Sequence, residues 1–359
     1  MIKFLHAADL HLDAPFSSLG REQAVLRRRE QREAVRRLVE ICNAEGCHLL
    51  LLAGDLLDGA AAYPETVECL RESFEACRAE VFLAPGNHDP FTPGCPYDTV
   101  AWPDHVHIFT RNRIDAVPLP ELGCVVYGAA FCAMESSALL RGFYAEPSDA
   151  VKLMVLHGEL KADSVYNPIA EAEIAVSGLD YLALGHIHRC SGLLRAGKTA
   201  YGWPGCLMGR GFDETGEKGY ILGEIDQNGC RTRFVPFPGR VYEILRVQAG
   251  DDAAAAIEAA LPAKTERDIY RILLQGESEP VDVRALERRF AGRFFGLTVR
   301  DETVPKRELW EAVGEDTLRG LFLRELKLRY DSAEDESERH RIAMTARVGL
   351  AALEGRELP

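Results

Sequence analysis

The sequence predicts an α/β fold in which buried parallel strands alternate with helices that cover both faces of a sheet. Three short apolar runs, at residues 2–8, 49–53 and 81–84, have the length and composition of buried strands. Between them, residues 21–45 and 64–79 carry apolar side chains at helical spacing. Further strands are predicted at 123–129, 151–156 and 180–184, with closing strands of a β-rich second layer at 199–203 and 219–226.

The length of 359 residues favours two or three domains. A Pro- and Gly-rich segment at 236–239 is a plausible boundary, so we expect a first domain at 1–238. Residues 239–304 then predict a small βαβαβ module, and residues 305–359 a C-terminal helical segment. The expected elements are strands 241–248, 268–275 and 295–301, and helices 251–260, 282–293, 308–329 and 334–354.

Bulk composition restricts the class of protein. The net charge of −14 argues against a general polyanion binder, although it does not exclude a nuclease whose metal ions and local arginines meet the phosphate. No stretch approaches the roughly 20 apolar residues of a membrane span, and the N-terminal apolar run is too short for a signal peptide. We therefore expect a cytoplasmic protein whose ten scattered cysteines are free thiols.

Five short motifs place metal-ligand residues at the ends of predicted strands. They are Asp9-Leu10-His11, Gly54-Asp55, Gly86-Asn87-His88-Asp89, His157-Gly158 and Gly185-His186-Ile187-His188. In parallel sheets, sites form outside the carboxyl ends of the strands, so organisation and chemistry agree. Carboxylate, amide and imidazole ligands suit Mn, Fe or Zn. The set predicts two divalent metal ions side by side for attack on a phosphoester, held by Asp9, His11, Asp55, Asn87, His157, His186 and His188.

One histidine of these motifs is left over for proton transfer. His88 can act as general acid toward the leaving alkoxide. Its neighbour Asp89 is placed to orient the imidazole, as carboxylates do for other histidines. His6 is expected to be a core or supporting histidine and not a ligand.

The five motifs resemble those of the calcineurin-like metallophosphoesterase superfamily over residues 1 to about 235. Residues 5–12, 54–58 and 203–206 are similar to SbcD-type DNA repair exonucleases, and residues 209–219 to the YhaO-like branch of that group. The resemblance implies a β-sandwich flanked by helices, with the βαβαβ module as a capping domain. It also implies that one metal is held by Asp9, His11, Asp55 and His188, and the other by Asp55, Asn87, His157 and His186.

The same resemblance implies partners. Mn²⁺ is the usual activator of these nucleases, which form homodimers and work on DNA with an SbcC-like coiled-coil ABC-type ATPase. The ATPase docks on C-terminal helices, and residues after 306 occupy that position. Here the apolar stripe of Leu318, Leu321, Phe322 and Leu326 either docks such a partner or packs on the core of this chain.

Two positions depart from the family pattern. Asp58 stands where some members have a histidine, and Cys206 where a serine or asparagine is common. Arginines remain open to two interpretations. Those on the helix at 21–45 either face DNA phosphates or form a solvated face paired with glutamates, whereas Arg189, Arg210 and Lys218 flank ligand segments and are candidates for substrate phosphate contacts.

Three functions fit these observations. The leading hypothesis is a Mn²⁺-dependent nuclease subunit that acts on DNA double-strand ends, with a metal-activated water attacking phosphorus. The same centre could instead serve a small-molecule or phosphoprotein substrate. The third hypothesis is a non-catalytic scaffold for a coiled-coil ATPase, against which the complete ligand set argues.

Overall fold

The computed structural model describes residues 1–59, 61–278, 281–304 and 307–353, with the side chains of 307–309 left out. The chain divides into two compact units, Met1–Val241 and Tyr242–Pro359. The three-part division with boundaries at 238 and 304 stays a prediction. All ten cysteines are free. None of the helices in the described ranges combines the length and the apolar character needed to cross a membrane.

In its described residues, the first unit contains twelve strands and four α-helices. The strands are β1 Ile2–Ala7, β2 Leu49–Leu52, β3 Glu80–Leu83, β4 Val106–Ile108, β5 Asp115–Leu119, β6 Cys124–Gly128, β7 Val151–His157, β8 Tyr181–Gly185, β9 Leu194–Ala196, β10 Thr199–Gly202, β11 Gly219–Asp226 and β12 Gly229–Pro236. The helices are α1 Arg21–Ala44, α2 Pro64–Glu75, α3 Pro96–Thr99 and α4 Glu171–Val176.

The strands form two six-stranded mixed sheets. The first has the order β12-β11-β1-β2-β3-β4, and the second β5-β6-β7-β8-β10-β9. In each sheet four neighbouring strands are parallel, β1 to β4 in one and β6, β7, β8 and β10 in the other. Antiparallel strands complete both sheets. The predicted α/β class is confirmed.

Strand β2 shows how the layers form. Its four leucines are all buried because both faces of the sheet are covered. Leu49 and Leu51 pack with residues of the second sheet, including Leu153, so the two sheets lie face to face. Leu50 and Leu52 pack on the outer side with α1 and α2 residues such as Leu38.

The sequence prediction missed four strands, and all four are edges of the two sheets. They are β4, β5, β9 and β12. Many of their side chains are partly or fully exposed, so these segments lack the continuous apolar run that marks a buried strand.

The second unit contains the predicted βαβαβ module. Strands β13 Tyr242–Gln248, β14 Ile269–Gln275 and β15 Gly296–Asp301 form a parallel sheet, with helices α5 Ala253–Ala260 and α6 Val283–Phe290 between them. The prediction of one helix over 308–329 was wrong in its first half, since Arg307–Gly314 is a 3₁₀ helix. Helix α7 Leu318–Ser332 begins after Thr317, whose hydroxyl accepts from the Gly320 amide, and α8 spans Glu336–Leu353.

Candidate metal centre

The centre lies at the carboxyl ends of five parallel strands. Asp9 and His11 follow β1, Asp55 follows β2, and Asn87 with His88 follows β3. From the second sheet, His157 ends β7, and His186 with His188 follows β8. Because β1, β2 and β3 are neighbours in one sheet and β7 and β8 in the other, the fold brings all seven predicted ligands together.

The backbone bends sharply where it presents these side chains. Asp9, His11, Asp55 and His186 have φ angles of 53°, 44°, 50° and 98°. Positive φ is uncommon for residues with a β-carbon and costs on the order of 1–3 kcal/mol for each residue. These four residues turn the chain at the ends of β1, β2 and β8 and direct its ligand atoms toward one point.

The ligand atoms fall into two groups. In the first group, Asp9, His11 and His188 offer atoms within 4.8 Å of one another, and the two Nε2 atoms lie 3.2 Å apart. In the second group, Asp55 joins His157 and His186.

The second group is completed by Asn87. Nε2 of His157 lies 2.9 Å from Oδ1 of Asn87 and 3.4 Å from Oδ2 of Asp55. The same Oδ2 lies 3.6 Å from Nε2 of His11, which belongs to the first group. A carboxylate oxygen therefore stands between the two groups, as a bridging ligand requires.

The donor set fits two divalent cations. Two imidazole nitrogens bound at about 2.1 Å to one ion would lie about 3.0–3.4 Å apart, depending on the bond angle. The nitrogen pair of His11 and His188 is separated by 3.2 Å, and so is the pair of His157 and His186. The chemistry also fits, since carboxylate, amide and imidazole are ligands for Mn, Fe and Zn.

Charges around the second group favour a protonated His157. Burial opposes a charged ring, but the carboxylates of Asp55 and Asp9 raise the pKa of His157 to about 9. Burial alone would raise the pKa of Asp55, yet the ring of His157 holds it well below its usual value. Burial and the charge of His157 lower the pKa of His186. A cation has the same sign as the proton on His157 and would replace it.

Two carboxylates and one guanidinium lie next to the first group. Nδ1 of His188 lies 2.7 Å from Oε1 of Glu214, and Nδ1 of His11 lies 3.0 Å from Oδ1 of Asp58. Arg210 donates to both carboxylates, at 3.0 Å to Asp58 and 2.7 Å to Glu214. Glu214 was missed as a site residue, although it lies in the 209–219 segment that carried the family resemblance.

Asp89 has contacts other than those predicted. Its carboxylate accepts hydrogen bonds from the amides of Asp55, Leu56, Leu57 and Gly86 and from the Tyr97 hydroxyl. Within the described residues it makes no hydrogen bond to His88, so the predicted orienting contact is corrected. Asp89 instead ties together the two loops that carry the ligands. Burial and the nearby Asp55 raise its pKa to about 6.

His88 stands at the open side of the centre. Its side chain is 43% exposed, whereas those of His11 and His157 are buried. Its Nδ1 lies 3.7 Å from Oδ1 of Asp58, which is therefore the carboxylate beside this imidazole. His6, as expected, is a buried supporting residue that contacts the Tyr181 hydroxyl at 3.0 Å and the Leu184 carbonyl at 3.2 Å.

The basic residues that were candidates for substrate phosphate contacts lie in different surroundings. Arg210 is engaged by Asp58 and Glu214, which leaves it poorly placed to receive a phosphate. Arg189 is exposed, and it lines with Lys218 a cavity of about 820 Å³ that also includes His186 and His188.

The arginines of helix α1 differ in their exposure to solvent. Arg27 is buried, while Arg36 and Arg37 are exposed and lie near glutamates.

Cys206 is buried, with its sulfur 3.7 Å from the His188 carbonyl and 3.7 Å from Glu214. Its thiol therefore lies beneath the His188 loop, away from solvent.

The chain is similar to known proteins in sequence. The model of the calcineurin-like phosphoesterase family matches residues 2–190. The chain is 30% identical over 296 residues to the uncharacterized metallophosphoesterase YhaO of Bacillus subtilis (strain 168). The aligned region covers 79% of this chain and 71% of that protein. The crystal structure of TT1561 of Thermus thermophilus superposes with a TM-score of 0.39 and 14% identity, covering 65% of this chain and 98% of that one.

Proposed function

Since the chain belongs to the calcineurin-like phosphoesterase family, we propose that its metal centre hydrolyses phosphodiester bonds at the ends of double-stranded DNA. The observation that carries the phosphodiesterase part is the pair of converging ligand groups, open to solvent on the side where His88 stands. The DNA part is supported by the similarity of residues 5–12, 54–58 and 203–206 to SbcD-type nucleases.

The residues of the chain have separate tasks in this proposal. Asp9, His11, Asp55, Asn87, His157, His186 and His188 hold two divalent cations, which we propose are Mn²⁺. When bound, such cations lower the pKa of water and neutralise charge on the phosphate. His88, exposed beside the ligand atoms, donates a proton to the departing sugar oxygen. Oδ1 of Asp58 lies 3.7 Å from Nδ1 of His88 and is the carboxylate beside this ring.

The cavity beside His186 and His188 supports a substrate that extends beyond the metal centre. Its volume of about 820 Å³ is that of a pocket for a ligand of nucleotide size or larger. Arg189 and Lys218 supply positive charge on its wall, next to the ligand loop. Asp213 and Glu217 also line it, so the cavity by itself leaves a small-molecule or phosphoprotein substrate as the competing proposal.

The first experiment compares two substrates and three proteins. End-labelled linear duplex DNA and bis-p-nitrophenyl phosphate are incubated with wild type, His88→Ala and His48→Ala, with and without Mn²⁺. His48 is a suitable control because it is exposed and lies before β2, at the end of the strand away from the ligands. A general acid contributes on the order of 10²–10⁴-fold, so His88→Ala should lose that much DNA cleavage.

The leaving group makes this test specific. A p-nitrophenolate leaves without a proton, so His88→Ala should lose much less activity on the p-nitrophenyl ester than on DNA. Equal losses on both substrates would contradict the general-acid role. Turnover of the ester without any DNA cleavage would favour the competing substrates. A protein that cleaves neither substrate and binds no metal would favour the scaffold function.

We also propose that the chain forms a homodimer and docks a coiled-coil ABC-type ATPase through its C-terminal helices. The support is an exposed apolar stripe on α7, where Leu318, Leu321 and Leu328 are 68%, 54% and 65% exposed. These positions share one face of the helix, whereas Leu323 and Leu326 on another face are buried. Replacing the three exposed leucines by serine should abolish co-purification with the ATPase and leave the native mass of the protein unchanged.

A further inference from the structure

We propose that Glu214 and Asp58, linked by Arg210, are positioning residues that prepare one of the two metal sites to bind its cation first. This site is the group formed by Asp9, His11 and His188. The inference rests on the metal centre proposed above. It goes further because it assigns unequal affinities to the two sites and names residues outside the ligand set that contribute to the difference.

The contact between Glu214 and His188 fixes the position of a proton. A carboxylate only accepts hydrogen bonds, so the 2.7 Å distance requires a proton on Nδ1 of His188. Arg210 Nη2 is 3.1 Å from the same nitrogen but donates to Oε1 of Glu214 at 2.7 Å. In the neutral ring, Nε2 is then left with its lone pair, facing His11 at 3.2 Å.

His11 is held in the same way on the other side. Its Nδ1 lies 3.0 Å from Oδ1 of Asp58, which places the proton on Nδ1 and the lone pair on Nε2. The side chain of His11 is fully buried, so its ring is held in this orientation by the surrounding residues. The Nε2 atoms of both rings therefore face the same small space, where one cation can bind both.

Arg210 makes the two carboxylates one unit. Its guanidinium spans from Asp58 to Glu214 through separate nitrogens, Nη1 at 3.0 Å and Nη2 at 2.7 Å. Its side chain is 20% exposed and that of Glu214 is 4% exposed, so water screens these charges little. Neither carboxylate can turn away without breaking the contacts of the arginine, and so the two imidazoles are oriented before a cation arrives.

The second group lacks this support among the described residues. Nδ1 of His157 donates to the backbone carbonyl of Ala53 at 2.9 Å, which is a neutral acceptor. The carboxylate nearest to Nε2 of His186 is that of Glu159. The two groups are 3.7 Å apart, which is beyond hydrogen-bond distance. A carboxylate on the outer nitrogen raises the basicity of an imidazole ligand, and losing it typically costs 10–100-fold in metal affinity.

Stepwise titration with Mn²⁺ tests the proposal directly. Isothermal titration calorimetry of the full chain, freed of metal, should resolve two binding events in the wild type. Glu214→Ala should weaken the tighter event by about 10–100-fold and the weaker one by less than about threefold. Glu214→Gln keeps an acceptor oxygen but removes the charge, so its effect should fall between wild type and Glu214→Ala.

Glu171→Ala is the matched control. Glu171 also accepts a side-chain hydrogen bond, from the Tyr201 hydroxyl at 3.0 Å, and it is not part of either ligand group. Its replacement should leave both Mn²⁺ affinities unchanged. Thermal unfolding in the presence of a chelator identifies any variant that simply fails to fold.

A second readout separates orientation from general structural damage. In the Zn²⁺-loaded protein, long-range proton–nitrogen NMR spectra should show a protected Nδ1 proton on His188 in the wild type. That resonance should be lost to exchange in Glu214→Ala and retained in Glu214→Gln. Asp58→Ala should act in the same way on His11.

The outcomes distinguish this inference from the proposed function. Two Mn²⁺ sites whose affinities do not change in either Glu214 variant would overturn the inference and leave the metal centre standing. Weakening of the looser event instead of the tighter one would also overturn it. A wild-type chain that binds no Mn²⁺ would overturn the proposed function itself.

Discussion

The ring of His157 lies so close to Gly54 that a β-carbon at position 54 would be 2.4 Å from Nδ1. Gly54 follows β2 in one sheet, and His157 ends β7 in the other. Nδ1 of His157 also donates to the carbonyl of Ala53, directly before the glycine. The absence of a side chain at position 54 therefore allows the two sheets to meet at the metal centre.

Gly54→Ala should displace His157 and weaken metal binding. The backbone adds strain because φ at Gly54 is +87°, a region that costs about 1–2 kcal/mol for a residue with a β-carbon. We expect loss of stability in urea denaturation together with at least tenfold weaker Mn²⁺ binding. Gly46→Ala is the matched control, since φ is +64° but no atom lies within 4 Å of its β-carbon. If both variants bind Mn²⁺ equally well, the close approach is unimportant.

Asp89 and Asp58 should fail in opposite ways when each is changed to asparagine. Asp89→Asn places an NH₂ group among backbone amides, and each buried donor left unpaired costs about 1–3 kcal/mol. We expect a large loss of stability in urea denaturation. Asp58→Asn should cost less stability than Asp89→Asn, because it keeps an acceptor oxygen for Arg210 and His11, but it should lower kcat/KM at least tenfold. An Asp89→Asn protein of wild-type stability would contradict the structural role of Asp89.

The buried side chain of His6 should make the protein lose stability in acid. Burial lowers the pKa of His6 to about 3, from an ordinary value of 6.5. Between these values the unfolded chain takes up a proton that the folded chain refuses, so the stability falls as pH decreases below 6.5. From pH 6 to pH 4, the wild type should lose about 2 kcal/mol more than His6→Gln, which has no charge to gain. Parallel stability profiles in urea titrations at these pH values would rule the effect out.

Arg27 is expected to stabilise the segment that carries Arg210 and Glu214. The buried guanidinium donates to the Gly209 carbonyl at 3.0 Å and to Glu30 at 2.7 Å. Arg27→Met should cost about 1–3 kcal/mol, because it leaves the buried Gly209 carbonyl without this donor and removes one of the two arginines that contact Glu30. Arg37→Met, on the same helix, removes a side chain that is 58% exposed and should change stability by about 0.5 kcal/mol or less. Chemical denaturation of the two variants gives the comparison, and equal effects would show that Arg27 has no special role.

The sequence by itself determined the fold class and the identity of the candidate ligands. Buried strands such as β2 need apolar side chains on both faces, and this requirement is visible in consecutive residues. Polar ligands at the carboxyl ends of such strands are equally local, so Asp55 and His157 could be named without a structure. The edge strands escaped prediction because one of their sides has no neighbour and their side chains are partly exposed.

The tertiary structure alone decided which polar groups meet. Asp89 is next to His88 in the chain, yet Asp58 is the carboxylate beside the His88 ring. Glu214 reaches His188 across 26 positions, and Arg27 reaches Gly209 across 182. Periodicity records which residues face a core, but it holds no information on contacts between distant segments. Those contacts depend on how the sheets and loops pack, and for that reason the residues that orient the ligands appeared only in the folded protein.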